Sequence, residues 1–549
     1  MTCKRAMPNL PEPSSPRRPY VTLIKVGAGL GTIVAIGSIA GAIWGKRIIN
    51  GRILPIIEER IAETIDRPIE LGDLERLSLT GVQLGKTTLP STETDKSSVT
   101  VDQVAIRFDL RSLLFERTLE PHVVLVRPDL SLVQGKDGQW FELSLPEPIE
   151  EEPLVTTNIQ SINIQDAHIT ATPLIQDPNA VVPRETLELN KTDLTAKFYG
   201  EDSQQVYFEL TGDVEAGSFD IEGEGDFENS AVQANVRVQD LPTTGVNILL
   251  PSLVGLSAGT LNTNLTVAAA LAEDGSLDQT AVDVQGTAQF KAGMVLVRDL
   301  AEPVRNIRSQ LRFKGQQVTL ENTALQLGDV ELLAEGTVDW EEGYDLTAQV
   351  PNVTLANVQT QANLKLSEDL PIDKTVPFQL NAQVTGELNE PNVQGRLVNL
   401  KPLQVDKLSL ATASADFVLP LPEFKLAAFE LTELRVVPAE GGVILAQGQA
   451  DLTDLDNLSF NLTGEAELPA DPFTQLYGVT LPSEMMIGLL TASLEAEGTL
   501  ETQTAFAQWQ LSESSFPGQG DLTLVDNTVV VDNTQLQVAD GTVTANGIA

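Results

Sequence analysis

Phe219–Phe227 reads FDIEGEGDF, and Val232–Val238 reads VQANVRV. In the first stretch Phe219, Ile221, Gly223, Gly225 and Phe227 alternate with Asp220, Glu222, Glu224 and Asp226. In the second, Val232, Ala234, Val236 and Val238 alternate with Gln233, Asn235 and Arg237. Successive side chains on a strand point to opposite faces, so each stretch predicts a strand with one apolar and one wet face. Phe219, Ile221, Val232, Ala234, Val236 and Val238 are candidate lining for a hydrophobic groove. The other use of such residues is a closed core in which apolar strand faces pack on each other.

The same period runs outward along the chain. Turn signals at Asp137-Gly138, Asp274-Gly275 and Asp540-Gly541 separate the alternating runs. Val318–Val338 reads VTLENTALQLGDVELLAEGTV, and Val529–Ala549 reads VVVDNTQLQVADGTVTANGIA. Eight of their 21 positions are identical without gaps, including Asn322/Asn533, Leu325/Leu536, Asp329/Asp540 and Gly336/Gly547, at an offset of 211 residues. Leu241-Pro242 and Leu468-Pro469 recur at an offset of 227 residues. These offsets predict a large duplicated unit of many strands. No helical layer is available to cover the apolar faces, so the sheet is expected to curl until they meet each other or a ligand. The chain ends within the second copy of the repeat, on an uncapped strand, as expected of a partial protein.

Composition narrows the function classes. Of 549 residues, 77 are acidic and 35 basic, a net charge of −42. That balance argues against nucleic acid, whose phosphates need a basic footprint. Two histidines, His122 and His168, and a single cysteine, Cys3, leave little for histidine-rich metal sites, Ser-His or Cys-His catalysis, or disulfides. The acid pairs Glu150-Glu151-Glu152 and Glu341-Glu342 read as solvated surface, and the carboxylates of Asp451–Asn457 lack the glycine and glutamate of a calcium loop. No cofactor fingerprint or nucleophile elbow is present, and the chain is not expected to be an enzyme.

Charge is unevenly spread. Residues 1–60 hold nine bases and three acids. Residues 1–19 are proline-rich and predict a disordered tail. Val26–Trp44 carries no charge over nineteen residues and spans roughly 28 Å as a helix, close to a bilayer core. A transmembrane helix over 20–45 follows, flanked by Tyr20 and Trp44 at the interfaces. Five bases before it and three just after it favour a cytoplasmic N-terminus. A cleaved signal peptide ending near Ala40-Gly41-Ala42 is the rival, opposed by the length of the run and the bases that follow. Gly37, Gly41 and Gly45 form one helix face that a second membrane helix could approach, although glycine is common in such helices anyway. Residues 46–66 place Ile53, Ile57, Ile61 and Ile65 at four-residue spacing, an amphipathic helix on the membrane surface or capping the sheet. Beyond it lie a β module over 67–145, a Pro/Glu-rich boundary over 146–153 and the repetitive β region over 154–549.

The order of these parts carries a resemblance. Tail, single anchor and short helix lead into RPIELGDLERLSLTGVQLG (Arg67–Gly85), VTVDQVAIRFDLRSLL (Val99–Leu114) and LVRPDLSLVQGKDGQW (Leu125–Trp140). This resembles the N-terminal region of the AsmA/TamB superfamily, and the later strands resemble TamB repeats, including those of the chloroplast inner-envelope counterpart. The resemblance implies a mainly β, taco-like groove lined with aliphatic side chains, projecting from the inner membrane into the periplasm. It implies contact with phospholipid acyl chains, a role in lipid transport, and support of outer-membrane protein assembly or secretion. The C-terminal domain that engages the outer-membrane assembly factor in that family is not found in this sequence. At roughly eleven residues per strand and about 4.8 Å between strands, the body could reach roughly 200 Å. Three readings stand: an anchored lipid-transfer bridge, a passive anchored β-repeat protein with a closed core and no ligand, and an envelope enzyme with an unrecognised site.

Overall fold

In the computed structural model the described residues are most of those from 67 to 548, with Glu59 and Ala62; the principal stretches outside the description are 1–58, 141–155, 174–180, 271–281, 362–371 and 479–484. The candidate span, Gly37, Gly41, Gly45 and the boundary at 146–153 lie outside the described residues, as does almost all of the amphipathic segment. Among the described residues no helix is long and apolar enough to cross a membrane. The protein is mainly β, and it divides into two compact units, residues 1–289 with 313–315 and residues 290–312 with 316–549.

The first unit is a ladder that follows chain order. Leu74–Ser78 pairs with Gly81–Leu84, which pairs with Ser98–Arg107; the short Thr87–Leu89 shares that edge of Ser98–Arg107. His122–Val133, Ser161–Thr172, Leu187–Tyr199, Gln205–Val214, Gly217–Asp226, Ala231–Pro242 and Val254–Ala270 follow in turn. Every pairing in this series is antiparallel except that of His122–Val133 with Ser161–Thr172, which is parallel. These two strands flank the Pro/Glu-rich stretch and pair directly across it in sequence.

The second unit repeats the scheme from Gln317–Leu327 through Val330–Asp339, Gly343–Thr354, Pro377–Glu387 and Glu390–Asn399. Leu408–Pro420, Ala428–Pro438, Val443–Asp451, Ser459–Pro469 and Leu489–Thr499 continue it. Gln503–Leu511, Gly518–Val525, Thr528–Val538 and Gly541–Ile548 complete it, all antiparallel.

The 211-residue sequence repeat is a bulged hairpin. Gln317–Leu327/Val330–Asp339 and Thr528–Val538/Gly541–Ile548 fall at matching offsets. In both, the register shifts around an asparagine with positive φ, Asn322 at 50° and Asn533 at 52°. Asparagine tolerates this left-handed conformation better than most residues, and the extra residue bends the strand. The following threonines, Thr323 and Thr534, are buried. Lys191 before buried Thr192 repeats the device in the first unit, at φ 47°.

The 227-residue offset contains two shorter intervals. Short helical turns follow three strands: Thr243–Leu249, Leu355–Gln361 and Ala470–Leu476. Their starts are 112 and 115 residues apart. The first is clasped by Asn247, whose amide donates to Leu256 O and accepts from Leu256 N, both at 2.7 Å. The third is clasped by Asp471, whose carboxylate accepts the backbone N–H groups of Ile487 at 2.8 Å and Gly488 at 2.9 Å.

Candidate functional site: a continuous apolar face

The pairing registers join the apolar residues of neighbouring strands into rows. In the first unit Val236 faces Ile221 on one side and Leu265 on the other. Ile221 faces Leu210, Leu210 faces Leu194, Leu194 faces Ile164, and Ile164 faces Leu125. Leu125 faces Val104, which faces Leu84. A second row runs beside it, from Val82 and Ile106 through Val123, Ile162, Ala196 and Phe208 to Gly223, Ala234 and Val267. Not one polar side chain interrupts either row.

The six sequence candidates all fall on this face. Phe219 pairs with Val238, Ile221 with Val236 and Gly223 with Ala234. Phe219, Ile221, Val232, Ala234, Val236 and Val238 are half-buried, whereas Gln233, Asn235 and Arg237 on the other side of the strand are exposed. Residues of a sealed core would be almost wholly covered. A sheet face without a second layer leaves its side chains partly covered by neighbours in the same sheet, which is the state found here.

The second unit carries the same feature with smaller residues. One row runs Val350, Leu380, Leu397, Ala415, Leu434, Ala446, Gly464, Leu494, Ala507, Leu522 and Val531. Its neighbour contains Ala382, Gly395, Phe417, Leu431, Gly448 and Leu462. Near one rim, Val376, Leu403, Leu410, Ala413 and Val436 form a small buried cluster, because the short Leu403–Val405 strand folds back on Leu408–Pro420.

Aromatic rings on these faces sit opposite glycines. Phe219 pairs with Gly212, Phe208 with Gly223, Phe417 with Gly395 and Trp509 with Gly520. A Cβ on Gly212 would lie 2.7 Å from Phe219 Cζ, one on Gly223 2.6 Å from Phe208 Cζ, and one on Gly520 2.9 Å from Trp509 Cζ2. A Cβ on Gly395 would collide with Phe417, which also stacks on Phe429 at 5.7 Å between ring centroids. Each ring therefore occupies the space that a side chain would take on the facing strand, a device that shields strand glycines. The alternation pointed to apolar residues but gave no sign of this pairing, which depends on register.

The opposite face is polar and self-paired. Arg127 meets Asp102 at 2.9 Å, Lys191 meets Asp213 at 3.0 Å and His168 meets Asp129 at 3.1 Å. Tyr207 donates to Glu222 at 2.7 Å, and that hydrogen bond, with burial, pushes the phenol up to about 12. Glu341 and Glu342 sit in a turn whose backbone N–H groups bind Asp339 and hold its carboxyl below the usual range. Asp451 accepts from the hydroxyl and then the backbone N–H of Thr453, which lower its pKa, in a further turn; Asp454–Asn457 lie outside the described residues.

No family model, no curated protein and no solved structure matches this chain.

Proposed function

We propose that this chain is a membrane-anchored bridge of the AsmA/TamB type, in which the apolar faces curl into a groove that carries lipid acyl chains between membranes. The observation that carries the reading is the continuity of the apolar rows, from Leu84 to Leu265 in the first unit and from Val350 to Val531 in the second, on side chains that along the first are half-buried everywhere except at the buried Leu84. An acyl chain needs an uninterrupted apolar path, and these rows supply one without a polar break. Burial of such area is worth about 25 cal/mol per Å², so lipid is a natural cover for a face that lacks a second sheet. The anchor rests on Val26–Trp44, its charge flanks and the amphipathic repeat that follows. In this reading the N-terminus is cytoplasmic, the body is periplasmic, and support of outer-membrane protein assembly or secretion follows from lipid supply.

The test is the substitution Val236→Asp in the full chain. In an open groove the new carboxylate keeps contact with water, so the protein stays folded but loses bound lipid, measured by mass spectrometry of the purified protein. In a closed core the same carboxylate is buried unpaired and the first unit unfolds. A folded variant with unchanged lipid content removes this strand from the path.

A further inference from the structure

At one end of the first ladder two apolar side chains stand in water. Leu79, in the turn between Leu74–Ser78 and Gly81–Leu84, is 63% exposed, and Phe115, in the short helical turn Ser112–Glu116 of the loop between Ser98–Arg107 and His122–Val133, is 81% exposed. Register places both at the same end. Gly81 pairs with Arg107, Arg107 pairs with His122, and Phe108 N donates to Thr80 O at 3.0 Å.

The loop that presents Phe115 is firmly built. Phe108 and Leu119 are buried, with Leu113 packed on them. Leu119 O accepts from Asn158 N at 2.8 Å, Arg111 N donates to Asp109 Oδ1 at 2.8 Å, and Ser112 Oγ donates to Glu120 Oε2 at 3.2 Å. Arg117, at φ 55°, reverses the chain just beyond Phe115. A loop held this way keeps its largest apolar side chain outward although neighbouring apolar residues turn in.

Three arginines lie around it; like Arg76, Arg305, Arg308 and Arg435 elsewhere on the chain they are exposed. Arg107, Arg111 and Arg117 are exposed, and none forms an ion pair with a described residue. Arg127, Arg237, Arg312 and Arg396 on the polar faces each meet a carboxylate. Three carboxylates share the segment: Glu120 accepts from Ser112 Oγ, Asp109 accepts from the Arg111 N–H and stays exposed, and Glu116 is exposed.

At the other end of the same strands Arg67 is fixed. It meets Asp95 at 2.6 Å and donates to the carbonyls of Pro90 and Ser97, next to the start of Ser98–Arg107. The apolar run that ends at Trp44 lies only 23 residues earlier. If 46–66 follows the membrane surface, Arg67 is delivered to that surface, and the ten residues of Ser98–Arg107 reach roughly 33 Å along it.

We infer that Leu79 and Phe115 form a wedge that enters the surface of an anionic bilayer, with Arg107, Arg111 and Arg117 on lipid phosphates. The first strands then lie along the membrane, held at one end by the chain at Arg67 and at the other by the wedge. The inference rests on the membrane anchor in the proposed function. Two side chains offer far less than the roughly 800 Å² per partner of a stable protein interface. A bilayer imposes no such minimum: each inserted apolar side chain adds its own transfer energy, and the anchor supplies a high local concentration of lipid. Guanidinium groups bind phosphate oxygens in a bidentate manner, which suits three exposed arginines, without an ion pair among the described residues, beside an apolar tip.

The experiment uses the full chain in a Cys3→Ser background, with single cysteines replacing Val34, Leu79, Phe115 or Trp340. Trp340 is the control, because it is 75% exposed in a turn of the second unit. Each variant carries a fluorophore and is placed in phosphatidylcholine/phosphatidylglycerol vesicles bearing nitroxide acyl chains. Most of the fluorescence is expected to be lost at positions 34, 79 and 115 and kept at 340. Replacing the phosphatidylglycerol with phosphatidylcholine, or changing all three arginines to glutamine, should restore fluorescence at 79 and 115 and leave 34 quenched. Quenching at 34 without quenching at 115 overturns the wedge and leaves the anchor standing. Equal quenching at 115 and 340 also overturns it, since the whole body would then lie on the membrane. Absence of quenching at 34 overturns the anchor and the wedge together.

Discussion

The two units use one pairing scheme and fill it differently. In the first, the row through Val236 is built almost entirely of Leu, Ile and Val. In the second, the row through Ala446 alternates Leu with Ala and Gly. The contrast extends to the fastenings. The first unit has a buried ion pair, Arg67–Asp95, and a neutral clasp at Asn247; the second has the surface pair Arg396–Asp416 and a carboxylate clasp at Asp471. An even row and an uneven one thus stand on the same ladder geometry; the first unit's other row, through Phe208, Gly223 and Ala234, is uneven as well, and backbone pairing and the facing of rings on glycines are common to both units. The apolar character is the shared requirement; the relief of the surface is free to vary.

The largest difference is expected at the ion pairs. Asp95→Ala leaves the buried Arg67 guanidinium without its counter-charge and should cost about 3–5 kcal/mol. Asp416→Ala in the second unit removes the half-buried partner of an exposed arginine and should cost about 0–1 kcal/mol. Amide exchange in Ser98–Arg107 and in Leu408–Pro420 reads each effect locally. Equal losses would erase the distinction between the fastenings.

A middle-sized effect separates glycines that shelter a ring from those that do not. Gly395→Ala forces Phe417 off its place and should destabilise by about 1–3 kcal/mol. In the row beside it a Cβ on Gly464 would meet its nearest atom, Leu445 O, at 3.1 Å, and Gly464→Ala should cost clearly less. Shortening the ring in Gly395→Ala/Phe417→Leu should recover much of the loss, as chemical denaturation of the two single variants and the double variant can show. Additive losses would mean that the ring and the glycine are not coupled.

The smallest effect concerns acid. The N–H groups of Ile487 and then Gly488 hold the Asp471 carboxyl below its ordinary value. Its clasp is therefore fully present above the unfolded value of about 4 and is lost as pH falls through the lower folded value. Asn247 does not titrate in this range. Exchange at the Ile487 and Gly488 amides, corrected for intrinsic rates, should rise on acidification relative to the Leu256 amide. Asp471→Asn should remove that difference; if it persists, the carboxylate is not its source.

Much of this was legible in the chain itself. The alternation in 219–227 and 232–238 placed six residues on one face, whereas the ungapped repeat, read as the mark of a large duplicated unit, coincides in each copy with one hairpin. The asparagine shared by the two copies is the bulge residue in each. Other features had no local signal. Arg127, Asp166 and Lys191 are charged residues at positive φ, where composition predicts nothing unusual. The seven-residue helices after Pro242, Thr354 and Pro469 are too short for a helical period to register. The exposed Phe115 lies in RFDLRSLLFERTLE, whose apolar residues give no hint of which turn inward until Phe108 and Leu119 are seen buried.

The parallel join between His122–Val133 and Ser161–Thr172 bears on how the chain reaches this state. The other described pairings of the two ladders are antiparallel, and most join strands separated by short turns, so each such hairpin closes over a small sequence separation and can form as soon as its residues are available. A chain emerging N-terminus first would add strand upon strand to a finished edge, with each new strand covering the one before. The parallel join breaks this order once. Ser161–Thr172 cannot dock until the 27 residues between Val133 and Ser161 have passed. During that interval His122–Val133 is an open edge, the point at which a growing ladder is most exposed to mispairing with another chain. The rate-limiting moment of assembly is thus expected early, at the crossover, and the long run of hairpins after it should follow quickly.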